Sequence, residues 1–409
     1  MVRFAHTADW QLGMTRHFLS PGTQGRYNQA RLEAIERIGR IAAAEGCEFI
    51  VVCGDVFEHV QVARKTAAPA LRALRAVSEQ VPVYLLPGNH DHLSSASIYA
   101  SHWFGSERPA NVHVLDRPGV VEVRSGVELL AAPWDGKQPP ADQIDRLAAS
   151  TPIIGPDAPL VRIAVGHGGV DSLASQLTQD PISVAALEKA LAERRIDFVA
   201  LGDRHSRTQI GATGQIWYSG TPEPTATREI DPGHALVVDI EPGAAVKVTP
   251  HQVATWTFTE REFMLRGADS ADEVLAWLDD FPEPARTVAK PILRGDLTIA
   301  EHARLSEAIE QRRDLFAAIP ASGRSDVKVR SDDQDFADLA LTGFAAEAVA
   351  ELRTLDSDTA RDALGLLLRL ADGDIWSGNE GGSGIGSSGG SGSQQVAAAV
   401  TAVSEAVAR

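Results

Sequence analysis

The chain opens with apolar runs that do not alternate with polar residues, and each run stops at a turn-forming or polar residue. Three of these runs are Val2–Ala5, Phe49–Cys53 and Val81–Leu86. After a Gly- and Pro-containing loop at Leu12–Gly25, apolar residues recur with helical spacing between the runs. They are Leu32, Ile35, Ile38, Ile41 and Ala42, then Val62, Ala70, Leu71, Leu74 and Val77. A β-α-β-α-β order with unalternating strands predicts a sheet that is covered on both faces.

Further along, three shorter apolar runs are separated by turn residues, which favours an antiparallel continuation. These are Val112–Leu115, Val120–Val123 and Val127–Ala131. The remaining predicted elements are strands at Val161–Val165, Phe198–Leu201, Ile216–Tyr218 and Ala235–Ile240, with a helix near Val184–Arg195. The pattern as a whole predicts an α/β fold in which two stacked sheets are flanked by helices.

From Thr255 the composition changes, which places a domain boundary after residue 254. The next residues, up to 330, have a strand, helix, strand, helix pattern at Thr257–Leu265, Ala271–Leu278, Val288–Leu293 and Ala300–Phe316. Two apolar helical faces are predicted in 336–375: one carries Phe336, Leu339, Phe344, Val349, Leu352 and Leu355, and the other Leu364, Leu366, Leu367, Leu368 and Leu370. A Gly/Ser-rich linker at 377–393 and an Ala/Val-rich helix at 394–409 complete the expected organisation.

Composition restricts the class of protein. The 409 residues are 44% hydrophobic and 23% charged, as in globular proteins with ample core. No apolar run reaches the roughly 20 residues of a membrane helix, and the N-terminus does not resemble a secretory signal, so we expect a cytoplasmic protein without a membrane partner. Cys47 and Cys53 are the only cysteines, which predicts neither a disulfide nor a cysteine zinc site.

The net charge of −17 argues against tight binding to bulk nucleic acid without local compensation. Between Arg16 and Arg75, however, nine Lys or Arg residues stand against six acidic ones. This local excess of positive charge is consistent with a nucleic-acid partner and equally with an ordinary solvated helix surface.

Candidate chemistry lies where the apolar runs end. The run before Pro87-Gly88 opens into Asn89-His90-Asp91-His92, and four other runs end in the same manner. They end at His6-Thr7-Ala8-Asp9, Gly54-Asp55, Gly166-His167-Gly168 and Gly202-Asp203-Arg204-His205. Strand ends are rigid, and open α/β sheets place their sites at that edge. Asp9, Asp55, Asn89, His167, Asp203 and His205 offer mixed oxygen and nitrogen ligands without sulfur, which indicates Mn²⁺, Fe or Mg²⁺ before structural zinc.

The motifs HTADWQLG, VVCGDVFE, LLPGNHDH, VGHGG and LGDRHS, in this order, resemble those of the calcineurin-like metallophosphoesterases. Together with WYSGTPEPT at Trp217–Thr225, they resemble the DNA-repair nuclease branch, that of the nuclease subunit of the SbcCD complex and its YhaO-like relatives. The resemblance covers roughly residues 1–330. It implies a four-layer α/β/β/α sandwich at 1–254 with nuclease activity and a capping domain at 255–330.

Carried over residue by residue, the resemblance implies two divalent cations, most readily Mn²⁺, that share Asp55. One cation would be held by Asp9, Gln11, Asp55 and His205, and the other by Asp55, Asn89, His167 and Asp203. Asn89 would stabilise charge during hydrolysis, and His90 would stabilise the transition state or protonate the leaving oxygen. Asp91 would orient His90 or stabilise its loop.

Three positions depart from the family pattern. Gln11 and Asp203 stand where the family usually has histidine, and Glu58 replaces a second histidine that often follows this motif. Gln11 still offers an amide oxygen and Asp203 is a hard carboxylate ligand. With three carboxylates at the site, we expect a preference for Mn²⁺ or Mg²⁺. Surface or supporting roles are expected for His17, His59 and His92.

The resemblance also implies partners. They are DNA, as single strands or ends, and an SMC-like coiled-coil ATPase that binds 336–375, and a homodimer would also fit the family. The same two helices of 336–375 would otherwise pack on their own chain. The preferred function is a Mn²⁺-dependent DNA exonuclease and endonuclease. The alternatives are a phosphoesterase for small phosphodiesters or cyclic nucleotides, and a weakened member that binds DNA ends or the ATPase without cleavage, which Gln11, Glu58 and Asp203 would motivate.

Overall fold

The computed structural model describes residues 1–79, 81–136, 143–155, 158–173, 180–241, 244–330 and 344–354. The described residues divide into two compact units. The first is Met1–Thr259 with Arg286–Val288, and the second contains Glu260–Ala285 and the described residues from Ala289 onward. Cys47 and Cys53 are buried and free. No helix of the described residues is both long and apolar enough to cross a membrane.

In the first unit the strands are β1 (Val2–Thr7), β2 (Phe49–Cys53), β3 (Val83–Leu86), β4 (Val112–Val114), β5 (Gly119–Arg124), β6 (Val127–Ala131), β7 (Val161–His167), β8 (Phe198–Gly202), β9 (Thr208–Ile210), β10 (Ile216–Tyr218), β11 (His234–Ile240) and β12 (Lys247–Gln252). Its helices are α1 (Pro21–Ala44), α2 (Arg64–Ser78), α3 (His102–Glu107), α4 (Ile144–Ser150) and α5 (Val184–Ala192). The strands form two six-stranded sheets, in the orders β12-β11-β1-β2-β3-β4 and β5-β6-β7-β8-β10-β9.

The two sheets stack on each other, with α1 and α2 on the outer face of one and α4 and α5 on the outer face of the other. Successive residues of β2 show why the apolar runs do not alternate. Phe49 and Val51 pack in the core between the sheets, whereas Ile50 and Val52 pack against the helices. Both faces of the strand are buried, so both sets of side chains must be apolar. The expected α/β fold of two stacked sheets flanked by helices is confirmed.

The antiparallel continuation expected for this unit is confirmed for β5 and β6, which pair antiparallel with each other. It was wrong for β4, which pairs with β3 in parallel, and the other edge of β6 pairs with β7 in parallel. Short strands with turn residues between them can therefore belong to different sheets. Helix α1 begins at Pro21, inside the predicted loop, because Ser20 caps it by accepting a hydrogen bond from the Thr23 amide and proline fits the first turn.

The second unit contains a three-stranded sheet in the order β13-β14-β15. Its elements are β13 (Thr257–Leu265), α6 (Ala268–Asp279), β14 (Thr287–Thr298), α7 (Ile299–Arg313), β15 (Asp326–Arg330) and α8 (Phe344–Thr354). Phe263, Leu265, Val274, Leu297 and Leu305 form its apolar core. The sequence pattern did not indicate β15, which pairs in parallel with β14. Helix α8 is the described part of the expected helical segment 336–375; linker 377–393 and helix 394–409 lie outside the described residues.

A buried carboxylate, that of Glu223, joins α1 to the last part of the first unit. Glu223 is fully buried and accepts hydrogen bonds from the backbone amides of Thr255 and Trp256, each at 3.0 Å, and from the Arg37 guanidinium at 2.6 Å. Next to it, the ring of Tyr27 contacts that of Trp256, with centroids 5.1 Å apart. Glu223 therefore anchors the end of the WYSGTPEPT stretch to α1 and to Thr255–Trp256, and its role is to stabilise the fold.

Replacing Glu223 with alanine should strip several buried donors of their acceptor at once and leave Arg37 without its counter-charge. We expect Glu223→Ala to lower the free energy of unfolding by about 3–5 kcal/mol, measured by urea denaturation. The matched control is Glu33→Ala, because Glu33 lies 3.9 Å from the same arginine but is half exposed. It should change stability by less than about 0.5 kcal/mol. Equal losses in the two variants would contradict the structural role of Glu223.

Candidate metal centre

The candidate ligands lie at the carboxyl ends of strands from both sheets. Asp9, Asp55 and Asn89 follow β1, β2 and β3 of one sheet, while His167 is the last residue of β7 and Asp203 directly follows β8 of the other. The loops after β1 and β2 are tied to each other, since the Asp9 amide donates to the Gly54 carbonyl at 3.0 Å and the Gln11 amide to the Asp55 carbonyl at 2.9 Å. Strand ends that are far apart in sequence thus meet at one place.

The backbone at this place is unusual. Asp9, Gln11, Asp55 and Asp203 all have positive φ, with values of 54°, 50°, 53° and 99°. In the described residues only two other non-glycine residues do so. Backbone of this kind is disfavoured for L-residues, although Asp tolerates it best, and it is found most often at functional sites. The fold therefore keeps four candidate ligands in conformations that local preference would not select.

Two glycines allow the loops to approach this closely. A Cβ on Gly54, whose φ is +89°, would lie 2.2 Å from Nδ1 of His167, and a Cβ on Gly88 would lie 2.3 Å from Oδ1 of Asp55. Gly88 does not have a positive φ, so its role is to leave room for Asp55 rather than to permit a turn. A side chain at either position would displace a candidate ligand.

Asp9, Asp55 and His167 form the centre of the site. All three are at least 96% buried, and one potential ligand atom from each lies within 4.8 Å of those of the other two. Nε2 of His167 is 3.4 Å from Oδ1 of Asp55. The nearest amide atom of Asn89 lies 2.8 Å from the same Nε2 and 3.1 and 3.2 Å from the two oxygens of Asp55. This set of hard oxygen atoms and one imidazole suits a divalent cation.

A hydrogen bond on the far side of the His167 ring leaves its Nε2 free to bind a cation. Its Nδ1 donates to the carbonyl oxygen of Cys53 at 2.8 Å. Since a carbonyl oxygen only accepts, Nδ1 carries a proton, and in the neutral imidazole the lone pair is on Nε2, which faces the two carboxylates. A backbone acceptor on the outer ring nitrogen is the usual arrangement for a metal-binding histidine.

The electrostatics of the centre indicate that a positive charge belongs there. Burial raises the pKa of Asp9 to about 7, even though His205 and His167 oppose that change. Burial lowers the pKa of His167, but the carboxylates of Asp55, Asp9 and Asp203 outweigh it and raise this pKa to about 9. Without a cation the centre therefore retains protons at neutral pH. A divalent cation would replace those protons and stabilise both carboxylates.

The two unusual ligand positions both adjoin the centre. Gln11 is 2% exposed and donates from Nε2 to Oδ2 of Asp55 at 2.9 Å, while its Oε1 is buried without a hydrogen-bond partner in the described residues. Asp203 donates from its backbone amide to both oxygens of Asp9 at 3.1 Å, and its Oδ1 is 3.9 Å from Nε2 of His167. A buried, unpaired amide oxygen and an additional carboxylate both fit a cation at this centre.

His205 is oriented by two residues that the sequence pattern did not identify. Its Nδ1 lies 3.0 Å from Oε1 of Glu229 and 2.6 Å from Oγ1 of Thr225. Burial lowers the pKa of His205, but Glu229 and then Asp9 outweigh that effect and raise it. Glu229 thus holds the ring as a carboxylate holds a metal-bound imidazole. It lies in irregular structure 24 residues after His205, so no spacing rule could have revealed it.

His90 lies at the rim of the site. Its backbone amide donates to Oδ1 of Asp55 at 2.9 Å, and its Nδ1 donates to the carbonyl oxygen of Glu58 at 3.0 Å. The side chain is 43% exposed, so it is open to a bound substrate. Oε1 of Glu58 is 4.0 Å from the same Nδ1.

Of the two roles expected for Asp91, orienting His90 or stabilising its loop, the hydrogen bonds show the second. Its carboxylate accepts hydrogen bonds from the amides of Gly88 and Phe57, at 2.7 and 3.2 Å, and from the hydroxyl of Tyr99 at 2.6 Å. Asp91 therefore fixes the loop that carries Asn89 and His90. None of its hydrogen bonds in the described residues goes to the His90 ring.

The sequence matches a known protein family over the part of the chain that carries the candidate ligands. The sequence model of the calcineurin-like phosphoesterases matches residues 2–207, half of the chain, which include every candidate ligand. Among solved structures, the chain is similar to Vps29 complexed with zinc from Entamoeba histolytica (9% identity, TM-score 0.26) and to a dimetal phosphatase from Danio rerio (11% identity, TM-score 0.33). Each likeness covers 62% of this chain and 99% of the other. No curated protein sequence matches the chain. On the match over residues 2–207, the chain belongs to the calcineurin-like phosphoesterase family.

Proposed function

We propose that this metal-dependent phosphoesterase is a DNA nuclease that hydrolyses phosphodiester bonds with two divalent cations, Mn²⁺ first among them. The observation that carries the proposal is the buried cluster of Asp9, Asp55 and His167 with the exposed imidazole of His90 at its rim. The cluster offers hard ligands at the ends of rigid strands. The imidazole is open to a phosphoester placed over it.

The residues present would hold the cations in two overlapping sets. Asp9, Gln11, Asp55 and His205 would hold one cation. Asp55, Asn89, His167 and Asp203 would hold the other. Bound there, the cations would supply Lewis acidity to the phosphoryl group and to a water molecule. The carboxylate of Asp55 belongs to both sets, so it would be shared by the two cations.

His90 has the geometry of a proton donor to the leaving oxygen. Because Nδ1 donates to the Glu58 carbonyl, the ring is fixed and Nε2 is the atom left to meet the substrate. Transfer of a proton from Nε2 of the protonated ring would neutralise the departing alkoxide. The hydrogen bond from the His90 backbone to Asp55 keeps this ring next to the centre.

Three features support DNA as the substrate. The five motifs and WYSGTPEPT resemble those of the DNA-repair nuclease branch. A cleft of about 490 Å³ lies beside Asp203 and His205, and Arg204 and Arg228 line it along with the exposed Ile230. Guanidinium groups suit the phosphates that flank a scissile bond, and apolar side chains suit a sugar or base. The chain also has a second unit, for which a hydrolase of small esters has no evident need.

Replacing His90 should abolish cleavage while the metal centre persists. We expect His90→Ala to lower kcat by about 10²–10⁴-fold, because proton donation to the leaving oxygen is lost. The assay uses labelled single- and double-stranded DNA beside bis-p-nitrophenyl phosphate, each with Mn²⁺. His59→Ala is the matched control, since His59 is exposed and near the same loop, and its activity should equal that of the wild type.

The same assay separates the other functions. Cleavage of bis-p-nitrophenyl phosphate without cleavage of DNA would replace the nuclease by a small-ester phosphodiesterase. Failure of the wild type to cleave either substrate would leave a binding scaffold, as the departures at Gln11 and Asp203 would then suggest.

Metal binding should depend on pH in a defined direction. Protonated His167 cannot coordinate, and its pKa in the metal-free protein is raised to about 9. The Kd for Mn²⁺ should therefore decrease about tenfold per pH unit between pH 6 and 8, with release of at least one proton. Isothermal titration calorimetry in buffers of different ionisation enthalpy measures both quantities.

The matched variant for this experiment is His167→Gln, which replaces the titrating ligand with an amide. It should bind Mn²⁺ more weakly and with a flatter pH dependence. A Kd for Mn²⁺ that does not change with pH in the wild type would contradict the ligand role of His167. A clear optimum of activity with Zn²⁺ would contradict the choice of Mn²⁺ or Mg²⁺.

We also propose that 336–375 docks onto the coiled-coil root of an SMC-like ATPase. The support is the sequence resemblance and the amphipathic pattern of the segment. In the described part, α8, Val349 is 5% exposed, so this side chain packs within its own chain. Phe336, Leu339, Leu355 and the second apolar face lie outside the described residues.

Deletion of residues 336–409 should abolish co-elution with such an ATPase in size-exclusion chromatography, since the apolar faces expected to dock are lost. Hydrolysis of bis-p-nitrophenyl phosphate should persist. The control is deletion of 394–409 alone, which should leave the complex intact. A complex that survives the longer deletion would place the contact elsewhere.

A further inference from the structure

Trp134 is a buried residue at the candidate metal centre that is neither a candidate ligand nor a candidate proton donor. It is 8% exposed and lies three residues after the end of β6. Its indole ring meets the imidazole ring of His167 edge to face, with centroids 6.3 Å apart and planes at 84°. Both its side chain and its main chain form hydrogen bonds at the edge of the sheets where the candidate ligands lie.

The indole N–H of Trp134 replaces a main-chain donor of the sheet. β6 and β7 pair in parallel, and just after β6 the Ala132 amide donates to the Val165 carbonyl oxygen at 3.0 Å. Hydrogen bonds to one neighbouring strand recur every second residue, so the next pair in register would be the amide of Trp134 and the carbonyl of His167. That carbonyl instead accepts from Nε1 of Trp134 at 2.7 Å. The side chain therefore satisfies the last residue of β7 after the main chain has left this sheet.

The main chain of Trp134 is bonded to the loop that follows β3, in the other sheet. Its amide donates to the carbonyl oxygen of Pro87 at 3.1 Å, and its own carbonyl accepts from the amide of Leu93 at 2.8 Å. Pro87 directly follows β3, and Asn89 and His90 lie between Pro87 and Leu93. Both ends of the loop that carries Asn89 and His90 are thus bound to one residue.

Trp134 thereby links two members of one proposed ligand set. Asn89 follows a strand of one sheet and His167 ends a strand of the other. The nearest amide atom of Asn89 is 2.8 Å from Nε2 of His167. When both atoms bind a cation they no longer bond to each other, so their separation then depends on the main chain that carries them. Trp134 holds that main chain on both sides.

We propose that Trp134 is a positioning residue for the cation assigned to Asp55, Asn89, His167 and Asp203: its main chain fixes the loop of Asn89, and its indole fixes the end of β7 at His167. The inference rests on the proposed function for the presence of two cations. It accounts for an indole N–H that takes the place of a strand amide at this particular residue of β7.

The test is titration with Mn²⁺ of the wild type and of Trp134→Phe, which keeps an aromatic ring but lacks the N–H. Isothermal titration calorimetry, with electron paramagnetic resonance to measure free Mn²⁺, gives the Kd of each site. The wild type should bind two cations. In Trp134→Phe one Kd should rise about tenfold, as for other residues that orient a metal ligand, while the other changes less than about twofold. Two unchanged Kd values, or two raised equally, would overturn the proposal.

Variants of the ligands identify the site that is affected. His167→Gln removes a ligand from the set that Trp134 holds, so adding Trp134→Phe should weaken Mn²⁺ binding by less than a further factor of about two. His205→Gln removes a ligand from the other set, and there Trp134→Phe should still weaken the remaining site about tenfold. The same additional loss in both backgrounds would contradict the proposal.

Trp217→Phe is the matched control, because it removes the same kind of hydrogen bond. Nε1 of Trp217 donates to the Gly214 carbonyl oxygen at 2.9 Å, in the connection between β9 and β10, which holds no candidate ligand. Both Kd values for Mn²⁺ should stay at the wild-type level in this variant, and a selective loss at one site would count against the role of Trp134. If Trp134→Phe does not fold, benzothienylalanine in place of Trp134, with sulfur instead of the N–H, carries the same comparison.

A second measurement needs neither metal nor activity. The amide of Gly168, next to the end of β7, donates to the Gly202 carbonyl oxygen at 3.1 Å. In metal-free Trp134→Phe its hydrogen exchange should become about tenfold faster relative to that of Ile163 in the middle of β7, because only the strand end is released. Trp217→Phe should leave this ratio unchanged. Equal acceleration at Gly168 and Ile163, or none, would refute the positioning role. If the wild type binds no Mn²⁺, the proposed function fails, while this ratio still decides whether Trp134 fixes the end of β7.

Discussion

Negative charge concentrated at the ends of the parallel strands is the constraint on which the structure depends. Asp9 and Asp55 are buried next to each other, with Asp203 at their edge, in a place where an uncompensated carboxylate is expensive. Burial raises the pKa of Asp9, and the neighbouring carboxylates raise the pKa of His167, because both changes reduce the uncompensated negative charge. A divalent cation bound there would offset this cost.

The fold accepts local strain to keep these groups together. Positive φ at four candidate ligands costs on the order of 1 kcal/mol each, and the loops recover this through the Asp9–Gly54 and Gln11–Asp55 backbone hydrogen bonds. Gly54 and Gly88 leave space that no other residue could leave. The remaining support comes from Asp91, Tyr99 and Glu229, which fix loops and rings rather than bind metal. These polar groups near the centre therefore hold the candidate ligands and His90 in position.

The sequence predicted the stacked sheets and the approximate place of the site because both follow from local patterns. Apolar strands such as Phe49–Cys53 are short and bounded by Gly or polar residues, so their ends, and the polar residues just beyond, could be recognised. The pairing of β4 with β3 and of β6 with β7 was not predictable in this way, since strand direction depends on contacts distant in sequence. The sequence pattern does not locate the start of α1, because a proline after a serine is as typical of a loop as of the first turn of a helix.

The roles of Glu229 and Glu223 could not be predicted from the sequence pattern. Glu229 contacts His205 from irregular structure, and Glu223 accepts a hydrogen bond from Thr255, 32 residues further along the chain. Each role depends on tertiary packing and leaves no periodic signal.

Gln11 and Asp203, the two unusual residues at the candidate ligand positions, change the ligands and the charge that the centre offers. Under the proposed function, Gln11 and Asp203, at positions where the resembling family usually has histidine, would offer oxygen instead of nitrogen and add one negative charge, which would favour harder ions. Proton donation by His90 would then contribute more to the rate of the proposed reaction. The group that fixes this imidazole is the backbone carbonyl of Glu58, which accepts the hydrogen bond from Nδ1 of His90.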